Sequence, residues 1–218
     1  MKNLLLSIPL VFVGLGCGTP YRVSVNGFSV TGDALKIPQA SSIFVLQNNN
    51  AQNPIFEREI GLKIQKLLNT KGYSIGTETA NYYLLFEYGI DSGRTFTGSK
   101  PIYHPGGTAT MQTFGSYGES SFSTIQTPGH ATYVPYSEVV YTRWLALKLI
   151  DGNAYRSAQK VDPSWIGEVR SSGTSSDLRK VINYMLVAAF KHFGENTGEQ
   201  VDEVILGGDS RVKALAEH

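Results

Sequence analysis

Cysteine is almost absent: Cys17 is the only one in 218 residues. No internal disulfide is possible, so stability has to come from a buried core. Charge is also scarce, with Asp, Glu, Lys and Arg making up 17% of the chain and a net charge of +1. No basic run marks a nucleic-acid groove, which excludes a nucleic acid as partner. There is no Gly-x-Ser-x-Gly elbow and no Walker-type or dinucleotide glycine loop, so the commonest hydrolase and nucleotide-dependent chemistries lack their machinery. Nothing in the residues calls for a cofactor.

What is present begins at the N-terminus. Lys2 precedes an apolar run over residues 4–15, followed by Gly16-Cys17-Gly18. The run is about a dozen residues, against roughly 20 for a membrane-spanning helix, and it contains Pro9, so it reads as a targeting segment. Val13-Gly14-Leu15-Gly16-Cys17 resembles a lipobox, with Gly14 where leucine is commonest. Cleavage before Cys17 would leave it diacylated and N-acylated, a membrane anchor of two or three chains where one alone holds only marginally. Gly14-x-Gly16 also suits an ordinary signal peptidase, which would leave Cys17 a free thiol. Gly18 is not the aspartate of an inner-membrane retention signal, so the outer membrane is the expected address.

Residues 1–16 are therefore set aside, and 17–41 read as the lipidated N-terminus with a tether or edge strand (Val23, Val25, Phe28, Val30). Residues 42–195 form the expected single domain and 196–218 a polar C-terminal tail. Ser42-Ile43-Phe44-Val45-Leu46-Gln47 is a strand by its β-branched and aromatic content. Asn53-Pro54 starts a helix whose stripe is Phe56, Ile60, Ile64, Leu67 and Leu68, stopped by Gly72. Residues 82–90 read as a buried strand, 138–150 as a long strand, and 164–170 as a strand pairing back across the turn Asp151-Gly152-Asn153. Ser175 or Ser176 is the expected cap of a second helix, with Leu178, Val181, Ile182, Met185, Leu186, Ala189, Phe190 and Phe193 on its apolar face. Two single-stripe helices are satisfied on one face of an antiparallel or mixed sheet, an α+β fold.

Residues 93–135 differ in kind. They are rich in Gly, Ser, Thr and Pro, with Phe96, Tyr103, Phe114, Tyr117, Phe122 and Tyr133 spaced through them. About forty such residues are too long for an ordinary connection, so a β-hairpin or loop excursion is expected. Its interleaved Tyr, Phe, Gly and Ser give either an adaptable contact surface or the packing face of a hairpin.

The strand Ile43-Phe44-Val45, the helix ending Lys71-Gly72-Tyr73, the step Ala80-Asn81-Tyr82 and the later Trp165-Ile166-Gly167 resemble a group of uncharacterised bacterial envelope lipoproteins, domain of unknown function 4136. Asn81 stands where that group often has aspartate, and the excursion is long for it. The resemblance implies an envelope location and a fold, but no reaction.

Four histidines limit any metal site: His104, His130, His192 and His218. His192 ends a helix, where the dipole favours a cation, and His218 is terminal. His104 and His130 both fall in the excursion; folded back as a hairpin they could meet, with Glu119 or Glu138 completing a metal or acid–base site. Two exposed loop histidines are the plainer reading. Trp144 and Trp165 lie in predicted strands, where a sheet-face or core role is expected. The leading expectation is a non-enzymatic, lipid-anchored envelope protein, periplasm-facing, that offers a binding or assembly surface to other envelope proteins. The alternatives are a metal-assisted hydrolase at His104 and His130, and a small-ligand carrier using the space between sheet and helices.

Overall fold

Alternation in Pro20–Ser29 (β1) and the short run Ser42–Leu46 (β2) puts Val23, Val25, Ile43 and Val45 on one side of a sheet, all buried. The computed structural model describes residues 20–114, 116, 120–158 and 162–217. The expectations for Cys17, Tyr117, Glu119 and His218 lie outside the described residues.

The helix start at Asn53 forms as its residues dictate. The Asn53 side chain accepts the Phe56 N–H at 3.0 Å, and Pro54 opens Pro54–Thr70 (α1). Gly72 takes φ +88° after α1; its N–H reaches Asn69 O at 3.0 Å while Tyr73 N–H reaches Leu68 O at 3.1 Å. This pair of bonds is a Schellman stop, which explains the Lys-Gly-aromatic step in physical terms.

Ser74–Ile75 (β3) and Tyr82–Ile90 (β4) follow. Asn81 clamps the start of β2: its side-chain oxygen accepts from the Ser42 N–H at 2.9 Å and the Ser42 hydroxyl at 2.8 Å. Arg94–His104 (β5), Gly107–Phe114 (β6), Ser120–Thr127 (β7) and the 22-residue His130–Asp151 (β8) come next. Instead of the expected tight turn after Asp151, Gly152–Ala158 (α2) forms a short helix before Trp165–Gly173 (β9). Asp151 caps it by accepting the Ala154 N–H at 2.9 Å, so the same turn-forming residues begin a helix.

The second expected helix is Leu178–Lys191 (α3), and its cap is Asp177, which accepts the Arg179 N–H at 3.0 Å. Ser175 instead accepts from the Asp177 N–H, supporting the cap rather than being it. Val201–Leu206 (β10) and Ser210–Ala216 (α4) arise from residues expected to be a polar tail. Their few apolar residues suffice: Ile205, Val212 and Leu215 are all buried.

The described chain divides into two units, one of residues up to 91 and from 142, the other Ser92–Tyr141. In the first, the core unit, strands run β10-β1-β9-β8-β4-β2-β3. β2 and β4 are parallel because α1 lies between them in sequence, whereas β1 is antiparallel to both β9 and β10. β1 is thus interior, not an edge. Its partner β10 comes from the other end of the chain, which local sequence could not announce. The core is a packed layer of Ile43, Leu84, Leu147, Leu149 and Trp165 from the sheet against Ile60, Ile64, Leu68, Ile182, Met185 and Leu186 from α1 and α3, with α4 added. Each fully buried aliphatic or aromatic side chain contributes about 1.5–3 kcal/mol. These side chains fill the layer between the sheet and α1 and α3.

Trp165 shows how closely this layer fits. It is 1% exposed, lies against Gly167 two residues on, and donates its indole N–H to Glu195 O at 2.8 Å. Gly27, opposite Gly167 in the β1–β9 register, lets the same carbonyl approach: a Cβ there would lie 2.3 Å from Glu195 O. Trp144, by contrast, is 41% exposed and covers Gly89 on the other face of the sheet.

Candidate functional site

Among the described residues, two places draw attention by their exposed or unpartnered side chains. The first is the second unit, a two-stranded arm. β5 pairs with β8 antiparallel from Arg94 opposite Val140 to His104 opposite His130, and β6 pairs with β7 from Gly107 opposite Thr127 to Phe114 opposite Ser120. Each strand has two residues between these pairings, Pro105-Gly106 and Pro128-Gly129. Here the backbones approach closely, and a Cβ on Gly106 would lie 2.3 Å from Thr127 O. The excursion is therefore a long β-hairpin, as one of the two expectations had it.

Every described residue from Arg94 to Val139 is solvent-exposed. Among them are Phe96, Tyr103, Met111, Phe114, Phe122, Ile125 and Tyr133, with Tyr103 78% and Phe114 76% exposed. The packing-face reading of these aromatics does not hold within the arm, because a two-stranded ribbon has no second layer. Cross-strand partners share a face. In the β5–β8 ribbon Arg94, Lys100 and Glu138 therefore lie on one face, while Thr95, Thr97, Ser99, Pro101 and Tyr103 with their partners Val139, Ser137, Pro135, Tyr133 and Ala131 form an uncharged face. On the charged face Tyr136 lies across Gly98 and receives the Lys100 ammonium 4.7 Å from its ring centre. Prolines at 101, 105, 128 and 135 remove backbone donors and discourage open-ended strand pairing.

His104 and His130 are both exposed, as the plainer reading had it, and the hairpin also makes them direct cross-strand partners, with rings stacked 4.8 Å apart. Glu138 does not join them, since it pairs with Phe96 further along the ribbon. Among the described residues no three His, Cys, Asp or Glu side chains are grouped to hold a metal ion.

The second place is a cleft in the core unit, bordered by α1, α3, α4 and Tyr21 of β1, with a volume of about 530 Å³. Glu59 and Lys63, one helical turn apart, are both buried and paired at 2.7 Å, and Arg179 reaches the other Glu59 oxygen at 2.9 Å. Burial alone would raise the Glu59 pKa, but hydrogen bonds and charge from Lys63 and Arg179 outweigh it and hold the carboxyl below its ordinary value. Lys180, Asn183 and Lys213 also line the cleft, and Tyr21 stacks on Tyr184 with ring centres 3.9 Å apart. Asn183 is 8% exposed, and its side-chain oxygen has no hydrogen-bond partner among the described residues. The sequence reading missed this cleft. The Glu59–Lys63 spacing is visible in the chain, but Arg179, Asn183 and Lys213 lie more than a hundred residues away.

His192 is the C-cap of α3, and more than the helix dipole holds it. Its two ring nitrogens lie 2.8 Å from Glu195 and Glu203 carboxylate oxygens. Glu203 also takes Lys191 at 2.7 Å. Burial pushes the Glu203 pKa up, and the bonds from Lys191 and His192 more than reverse this, leaving it below the ordinary value.

No protein-family model matches the chain, and no curated protein is similar to it at a significant level. Solved structures do resemble it in part. A PDZ domain protein from Parabacteroides distasonis matches with a TM-score of 0.43 and 12% identity over 85% of this chain; the chain spans only 39% of that protein's length. A PelC dodecamer from Paraburkholderia phytofirmans matches with a TM-score of 0.39 and 12% identity, over 79% of this chain and 98% of that one. A variant of the same PelC gives a TM-score of 0.39 and 14% identity over 80% of this chain. No helix among the described residues is long and apolar enough to cross a membrane.

Proposed function

We propose that the protein is a lipid-anchored lipoprotein of the outer membrane, facing the periplasm, and that it works as a non-enzymatic assembly module whose arm contacts other envelope proteins. The observation that carries this is the exposure of the arm's apolar side chains while the core unit packs its own layer without them. Exposed apolar surface on this scale marks an interaction site. The lipobox at Cys17 and the resemblance to the envelope lipoproteins support the address.

The test replaces residues 95–139 by a short turn and places a photo-crosslinking residue at Tyr103 in the intact chain. The expected result is unchanged thermal unfolding of the shortened protein, together with discrete crosslinked species in native membranes from position 103. Crosslinking from the exposed core-unit position Phe28 equal to that from position 103 would contradict an arm-specific role. The stacked His104–His130 pair favours a second reading, a metal-assisted hydrolase. Bound metal found by elemental analysis and lost in both His104→Ala and His130→Ala would support it.

A further inference from the structure

The cleft of the core unit has features the assembly reading does not use. Four cationic side chains, Lys63, Arg179, Lys180 and Lys213, line it against one carboxylate, Glu59. Asp177, already engaged as the α3 cap, lies 3.9 Å from the Lys180 ammonium at the rim. Lys66 donates to Ala214 O, tying α4 to α1 and fixing the wall that carries Lys213. At the cleft Asn183 holds a buried amide oxygen with no partner among the described residues, a group that costs free energy unless something bonds to it. Cations together with a waiting amide fit a ligand that is both an anion and a hydroxyl donor.

The chain also says where such a ligand would come from. Tyr21 lines the cleft and is only four residues from Cys17. Four residues span at most about 14 Å whatever their conformation. An acyl anchor at Cys17 therefore holds Tyr21, and the cleft with it, close to the headgroup layer. Arg22 lines a neighbouring cleft that also includes Tyr21, Ser171 and Ser172, so the positive charge at this end is not confined to one pocket. Basic side chains near an anionic leaflet are drawn to it within a Debye length.

We infer that this cleft binds the phosphate headgroup of an anionic phospholipid, seating the core unit on the membrane that its anchor enters. The inference rests on the lipid-anchor reading. Lys180, Lys213 and Arg179 face the phosphate, and Asn183 takes a hydroxyl of a glycerol headgroup. Lys63 remains the buried counter-charge that keeps Glu59 from repelling the anion.

The test uses the full chain extracted from membranes in detergent, followed by native mass spectrometry with added phosphatidylglycerol, phosphatidylcholine or inorganic phosphate. The expected result is at least tenfold tighter retention of phosphatidylglycerol than of phosphatidylcholine, lost in Lys180→Glu/Lys213→Glu and kept in the control Lys71→Glu. Asn183→Leu should fold and weaken retention. Equal retention of the two lipids, or an unchanged Lys180→Glu/Lys213→Glu variant with native thermal unfolding, would overturn the inference. Displacement of the lipid by equimolar inorganic phosphate would overturn the assignment to a lipid. The same spectra show whether Cys17 carries acyl mass, so failure of the anchor reading is seen separately from failure of the cleft.

Discussion

The core unit and the arm are built from the same apolar residue types and use them in opposite ways. In the core unit Leu84, Leu149 and Ile182 are wholly buried, whereas in the arm Phe96, Met111 and Ile125 are about half exposed. The difference is one of layers, not of strand quality. β8 runs as a single strand through both units; from Leu145 onward its alternate residues meet helices, while up to Val139 they meet solvent. A two-stranded ribbon has nothing to bury its faces against and is marginal by itself in water. Its described apolar side chains stay exposed to solvent, which is why we assign them to contact.

This contrast can be broken at several points. The largest effect is expected in the core layer: Trp165→Ala should lower unfolding free energy by about 3–5 kcal/mol in denaturant titration. Tyr103→Ala and Phe114→Ala should change it by no more than about 0.5 kcal/mol. Comparable losses at all three positions would mean the arm is part of the same cooperative core. Next comes Gly27→Ala, whose Cβ would collide with the Glu195 carbonyl and should cost about 1–3 kcal/mol as overpacking. Thermal unfolding of this variant tests whether the β1–β9 seam is as tight as its geometry.

Smaller, at about 1 kcal/mol, is the loss of the α3 cap in Asp177→Ala, against a lesser effect of Ser175→Ala. The reverse order would restore the serine cap expected from the sequence. The gentlest lever is pH. Glu59 and Glu203 have folded pKa values below the ordinary 4.5. Their stabilisation is complete above that value and is lost as pH falls through the lowered folded values. Burial, then the bond to Glu57, raises Tyr88 to about 12 from 10.0. Its neutral form is thus favoured in the fold, and its contribution is present below pH 10 and fades as pH rises towards 12. Thermal midpoints should fall at both ends, and Glu203→Gln should flatten the acid limb. Because none of these groups belongs to the arm, the profile should survive arm deletion.

Much of the fold was legible because its signals are local. The Asn53-Pro54 start, the Gly72 stop and the stripes of α1 and α3 each depend on residues within a turn or two. The α+β class followed from those stripes. The excursion was recognisable by composition; the meeting of His104 and His130 was one outcome of folding it in half, set beside the plainer reading of two exposed loop histidines, and both are indeed exposed. What escaped was non-local. The pairing of β10 with β1 joins Val201 to Val25 across the length of the chain, and the cleft gathers residues from four separate elements. Asp177 displaced the serines as cap because its carboxylate reaches the Arg179 N–H, a choice of two residues that periodicity does not resolve. Asp151-Gly152-Asn153 reads as a turn or as a helix start with equal ease, and the Asp151 cap decided it.

The most direct test of the arm's role is hydrogen–deuterium exchange by mass spectrometry on the full chain, once purified in detergent and once in native membranes. Peptides from residues 94–114 and 120–139 should exchange rapidly in the purified protein and become protected in membranes, while core peptides from β4 and α3 stay protected in both. Arm peptides that exchange equally fast in both settings would contradict the claim that this surface is made for contact.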